Sequence, residues 1–142
     1  MAIIALDVGS KRIGVAVSDP SDTYALPLET IERTNLAQDL GAIVRLAQSY
    51  GGAEIVVGDP LTLAGARGPA AAGVDAFVER LARVFAGTIH REDERLTTAA
   101  ATKTLIAADV SRARRKRVVD AMAAALILES FLSRRRRAAG GS

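Results

Sequence analysis

The stretch Ile3-Ile4-Ala5-Leu6-Asp7-Val8-Gly9-Ser10-Lys11-Arg12-Ile13-Gly14-Val15-Ala16-Val17-Ser18 decides the fold. Two β-type runs, Ala2 to Val8 and Ile13 to Ser18, flank Gly9-Ser10-Lys11-Arg12, whose glycine and serine supply a turn, so the segment reads as a hairpin. A third extended segment, roughly Tyr24 to Ile31, completes a three-stranded antiparallel start. Pro27 puts that strand at the sheet edge, because proline cannot donate to a ladder.

Beyond the hairpins the pattern changes to strand and helix in alternation. Asn35 reads as the N-cap of a helix from Leu36 to about Tyr50, apolar at Leu36, Leu40, Ile43, Val44 and Ala47 and stopped by Gly51-Gly52. Glu54 to Gly58 is a short apolar run of the kind found in helix-covered sheets, followed by a loop from Asp59 to Gly68. Val74, Phe77, Val78, Leu81 and Val84 have helical spacing within Pro69 to Ala86, and Gly87 precedes a strand from Thr88 to about Glu92. Thr97 or Thr98 caps a helix through Ala108, and a last helix runs from about Val118 to Ser133. The order β β β α β α β α α implies an α/β fold with a mixed five-stranded sheet, three strands antiparallel and then two parallel, flanked by helices.

A chain of 142 residues fits one domain of ordinary size. It contains no cysteine, which excludes disulfides, thiolate zinc sites and a cysteine nucleophile. The start lacks a basic region, and the apolar run from Ala121 to Leu128 ends at Glu129, so the expectation is a cytoplasmic protein that avoids the membrane. Charge is unevenly spread. Between Ser111 and Arg137 nine Lys and Arg stand against two acids, whereas the rest of the chain carries ten basic and fourteen acidic residues. Such a basic C-terminal third suits a polyanion, because cations that neutralise phosphates release condensed counterions. Residues 134–142 read as a solvated, disordered basic tail.

Three acidic positions stand out. Asp7 interrupts an apolar strand, where an uncompensated carboxylate is costly to bury, and Gly9 beside it lets a phosphate approach the backbone. The run Glu92-Asp93-Glu94 ends a strand expected to be parallel, the edge where open α/β sheets gather ligands. Asp120 shares a helix face with Ala123, Ala124, Ile127 and Phe131, the face that packs toward the sheet. An oxygen-only ligand set of this kind suits Mg²⁺ or Mn²⁺, and two such ions activate a water and stabilise the leaving oxygen of a phosphodiester. His90, the only histidine, lies within a strand and reads as structural.

Leu6 to Asp19, Asp93-Glu-Arg-Leu-Thr97 and Val118 to Glu129 resemble, in this order, the three signature regions of the YqgF (RuvX) family. The resemblance covers Met1 to about Leu132. It implies a ribonuclease H-like nuclease domain over residues 1–133, resembling Holliday junction resolvases and associated with maturation of the 5′ end of pre-16S rRNA. It also implies an acidic triad at Asp7, Glu94 and Asp120, with Asp93 a rival to Glu94, and phosphate contacts at Lys11, Arg12 and Arg95. The chain departs from the family where Gly-Leu-Pro-Leu and Asn-Met-Asp-Gly are usual, showing Gly58-Asp-Pro-Leu61 and Thr62-Leu-Ala-Gly65. Asp59 then either supplements the metal site or simply forms the turn before Pro60.

The basic stretch holding Arg114, Arg115 and Arg117 is expected to grip the nucleic-acid backbone beside Asp120. The partner is precursor rRNA or branched DNA, and the protein is expected to be a monomer or weak homodimer. Two alternatives remain within this reading: a Holliday junction resolvase-like DNA nuclease, and a non-catalytic RNA-binding ribosome-assembly factor. A sugar kinase or ATPase, whose phosphate motif also opens Asp-x-Gly-Ser, needs two such domains, for which the chain has no room.

Overall fold

In the computed structural model of the chain, Asp7 stands near the end of a strand buried on both faces. The structure describes residues 2–21, 23–60, 65–94 and 112–140, with the side chains of 112–118 and 140 outside that description. The elements are β1 (Ile3–Val8), β2 (Arg12–Ser18), β3 (Ala25–Glu32), α1 (Leu36–Ser49), β4 (Glu54–Asp59), α2 (Pro69–Val84), β5 (Thr88–Asp93) and α3 (Arg112–Gly140). The helix expected between Thr97 and Ala108 lies outside the described residues.

The five strands lie in the order β3-β2-β1-β4-β5. β1, β2 and β3 pair antiparallel, while β1, β4 and β5 pair parallel, which is the mixed sheet expected. β3 is an edge strand, as Pro27 requires, and its register slips between Val15 and Ala16, so that Glu29 and Pro27 face them and Leu28 is skipped.

Period-two alternation sends the side chains of β1 to two cores. Ile4 and Leu6 pack with Leu40 and Ile43 of α1 and Phe77 and Leu81 of α2. Ile3 and Ala5 pack with Ala124, Ile127 and Leu128 of α3. The sheet is thus a middle layer between the α1–α2 pair and α3. Each buried Ile or Leu contributes roughly 1.5–3 kcal/mol over exposure. By the same alternation Asp7 belongs to the α3 face.

Local signals hold at the helix ends. Asn35 Oδ1 accepts from the Gln38 amide at 3.0 Å, and Gly51 takes a left-handed φ of 65° after α1. Pro69 opens α2, where its missing N–H costs nothing.

The last helix departs most from expectation. It begins at Arg112 instead of Val118 and continues to Gly140, so the backbone of the basic stretch around Arg114 is helical. The expected disordered tail is helical from Arg134 to Gly140 because its arginines find acids on the sheet. Arg134 donates to Glu92, Arg135 donates to Glu54 at 2.7 Å, and Arg136 reaches the Thr23 carbonyl at 3.1 Å. These contacts add enthalpy to a segment that composition alone marks as solvated.

Candidate active site

Two glycines determine what gathers around Asp7. Gly14 of β2 is the register partner of Asp7, and a Cβ added there would lie 1.9 Å from the backbone oxygen of Asp120. Only a residue without a side chain lets the turn of α3 carrying Asp120 rest on that strand. On the other side, Leu6 pairs with Val57, so Gly58 follows in β4 beside Asp7. A Cβ at Gly58 would lie 2.6 Å from Glu94 Oε1 and 2.6 Å from Ile127 Cδ1, so the Glu94 carboxylate lies over β4 on the α3 face. Neighbouring strands are about 4.8 Å apart. Asp7 is therefore flanked by Glu94 over one neighbour and by Asp120 over the other.

Asp7 and Glu94 line one cleft of about 400 Å³ with Gly9, Ser10, Pro60 and the first turns of α2. Asp7 is only 6% exposed. Asp120 stands at the margin, where Arg12 Nε donates to its Oδ2 at 2.9 Å. Among the described residues no group of three acidic or histidine side chains is close enough to hold a metal ion together. The structure thus brings Asp7 and Glu94 to one cleft, with Asp120 beside them under the hand of a guanidinium.

The acidic run is divided by the pleat. Glu92 faces α3 and is fully buried, where Ser130 Oγ donates to it at 2.6 Å and Arg134 donates to its other oxygen. Asp93 is the register partner of Asp59 and alternates to the opposite face. Asp93 thus points away from its two neighbours, which lessens repulsion within the run. Glu94, beyond the strand end, returns over Gly58.

Asp59 does not join the cleft. Arg67 grips both of its oxygens, at 2.9 Å and 3.0 Å, and Arg91 adds a bond at 2.8 Å. Asp75 of α2 binds the same two arginines, and Arg67 holds its carboxyl below the ordinary carboxylate range. Two guanidinium groups thus hold both oxygens of Asp59, the residue offered as a supplement to the metal site. That pairing ties β4 and β5 to α2.

His90 is structural as expected: Nε2 lies 2.8 Å from Glu54 Oε1 and its ring packs on Phe131 with centroids 4.8 Å apart. Arg135, and then His90, lower the Glu54 pKa to about 2. Arg33 was not evident from sequence because no periodicity marks it. It donates to the Gly9 carbonyl at 2.8 Å, pairs with Asp39 and lies over the Phe77 ring at 5.4 Å, so its guanidinium is fixed on the wall of the cleft. Arg95 and the side chains of Arg114, Arg115 and Arg117 lie outside the described residues.

A family model described as RuvX, Holliday junction resolvase, matches residues 1–134. The chain belongs to the RuvX family. This RuvX chain is 48% identical over 134 residues to a protein of Moorella thermoacetica named "Putative pre-16S rRNA nuclease", covering 94% of this chain and 96% of that protein. A protein of the same name from Symbiobacterium thermophilum is 48% identical over 135 residues, with 95% and 94% covered. Among solved structures, RuvC of Thermus thermophilus in complex with a Holliday junction substrate superposes with a TM-score of 0.59, covering 94% of this chain and 95% of that one. At 15% identity that likeness speaks for the fold alone, which is ribonuclease H-like as expected.

Proposed function

We propose that this RuvX protein is a divalent-metal-dependent nuclease that hydrolyses phosphodiester bonds, with precursor 16S rRNA as substrate and Mg²⁺ or Mn²⁺ as the ion. The observation that carries the reading is the seating of Glu94 and Asp120 over side-chain-free positions on either side of Asp7. Glycine at both positions is costly within a strand. The expense is explained if acids must converge there.

The donor chemistry fits the ion. Asp7, Glu94 and Asp120 offer oxygen atoms alone, which hard cations favour, and they would hold it. When bound, such an ion would supply Lewis acidity toward a phosphodiester and acidify a nearby water. The chain's own residues do the rest. The walls around Asp7 exclude bulk water, Gly9 lets a phosphate lie close to the β1–β2 turn, and Arg33 presents a fixed positive charge to it. Lys11, Arg12 and Arg95 contact neighbouring phosphates in this reading, as do Arg114, Arg115 and Arg117. The protein works in the cytoplasm as a monomer or weak homodimer.

One observation favours a second reading. Arg12 holds the Asp120 carboxylate and the described residues contain no ready three-acid cluster, an arrangement that suits a ribosome-assembly factor that binds RNA without cutting it. Purified protein assayed on a precursor rRNA fragment and on a four-way DNA junction, with Mg²⁺, Mn²⁺ or EDTA, separates the two. The nuclease reading expects metal-dependent cleavage of the RNA that Asp7→Asn abolishes while binding persists. Binding without cleavage under either ion would leave the assembly factor, and cleavage of the junction alone would replace the substrate.

A further inference from the structure

The cleft at Asp7 does not end at the sheet edge. Arg33 and Gly73 line both it and a second depression of about 460 Å³ along the seam between α1 and α2. Arg80 and Arg83 line that depression and also a third one of about 480 Å³, which Arg45 closes from α1. The three depressions thus share lining residues in succession, from the candidate active site along the α1–α2 seam on the helical face opposite α3.

The charge along the seam, outside the cleft, is one-sided. Arg45, Arg80 and Arg83 are exposed and Arg33 is half-buried, while among the described residues the only acid lining the seam is Glu79, paired with Arg83 at 3.0 Å. Among the described residues Arg45 and Arg80 form no ion pair. Gly73 adds an independent sign. It sits inside α2, where glycine costs roughly 0.5–1 kcal/mol relative to alanine. A Cβ there would meet nothing within 4 Å, so packing among the described residues does not call for it. The position is open to close approach by a ligand.

We propose that the α1–α2 seam carries a single strand of nucleic acid away from the candidate active site, with Gly73 as the passage and Arg80, Arg83 and Arg45 as phosphate contacts. The inference rests on the nuclease reading and adds a path to it. Gly73 and Arg83 lie ten residues apart in one helix, a rise of ~15 Å. At ~3.4 Å per stacked nucleotide that length holds about four nucleotides beyond the cleft.

The test compares single-stranded RNA of about two nucleotides, which is too short to span the seam, with one of about ten that spans cleft and seam together. Binding to each is measured by fluorescence anisotropy over a salt series in EDTA, for the full chain and for the double variant Arg45→Gln with Arg80→Gln. The double variant should bind the long strand more weakly, its log K against log salt flattening by ~0.7 per lost contact, and bind the short strand as before. Gly73→Leu should raise Tm, because the helix loses a glycine, yet weaken binding of the long strand more than that of the short one, since Gly73 lines the cleft as well as the seam; this opposed pair of changes excludes misfolding. Equal loss on both strands, or no loss on either, overturns the path while leaving the nuclease reading intact. Failure of the unaltered protein to bind either strand overturns both.

Discussion

Gly14→Ala is the substitution with the most to say about how Asp120 reaches Asp7. The added Cβ would stand 1.9 Å from the Asp120 carbonyl oxygen and 3.0 Å from the Ala121 amide nitrogen, against an ordinary contact of 3.4 Å or more. Both obstacles are backbone, so no rotamer change relieves them, and α3 must withdraw from β2 by ~1.5 Å at this point. Overpacking of this order costs about 1–3 kcal/mol, and each kcal/mol lowers Tm by about 2–4 °C in a chain of this size. The expected fall is therefore about 2–12 °C. Catalysis suffers more than stability, because a misplacement of ~1 Å at a reacting centre costs about a hundredfold in rate. Thermal melts and single-turnover cleavage of a precursor rRNA fragment in Mn²⁺ measure the two effects. A Gly14→Ala protein with unaltered Tm and cleavage would refute the packing of α3 on β2 and, with it, the juxtaposition of Asp120 and Asp7.

The companion Gly58→Ala meets only the ends of the Glu94 and Ile127 side chains, so stability should fall by about 1 kcal/mol while cleavage drops at least tenfold; denaturant melts and the same rate assay decide, and equal losses in both would detach Glu94 from the chemistry. Arg134→Met should cost about 3 kcal/mol in urea melts, because it removes a partner of the fully buried Glu92 carboxylate, whereas Glu92→Gln should cost less by keeping both hydrogen-bonding neighbours. The Glu54 carboxyl, depressed to about 2 in the folded chain mainly by Arg135, contributes stability that is present above its ordinary pKa of 4.5 and lost as pH falls through about 2. The difference in melting between the native chain and Glu54→Gln should accordingly shrink across that window, and a constant difference would contradict the pairing. Asp59→Leu should leave Mn²⁺ affinity by calorimetry unchanged yet lower Tm, since it leaves Arg67 and Arg91 with Asp75 alone; weakened Mn²⁺ binding would return Asp59 to the metal site.

Much of the architecture was legible because its causes are local. Alternation in Ile3 to Ser18 with a Gly-Ser turn dictates a hairpin, Pro27 dictates an edge, Asn35 caps α1, and helical spacing in Val74 to Leu81 dictates the buried face of α2. Asp7 was legible for the same reason, since an acid in an apolar strand requires compensation whatever the partner. The interruption can be read without knowing the neighbour.

What the tertiary structure alone decided are the partnerships, because they join residues far apart in the chain. Asp59 looked like a ligand until Arg67 and Arg91 were seen on its oxygens, and the arginines of the last helix looked solvated until Glu92 and Glu54 were found beneath them. Gly14 and Gly58 were visible as glycines in strands, but which element pressed against each depended on how α3 and the end of β5 crossed the sheet. Alternation and capping are governed by backbone geometry over a few residues. The pairing of charges follows from which side chains the packed layers bring within a few ångströms of one another.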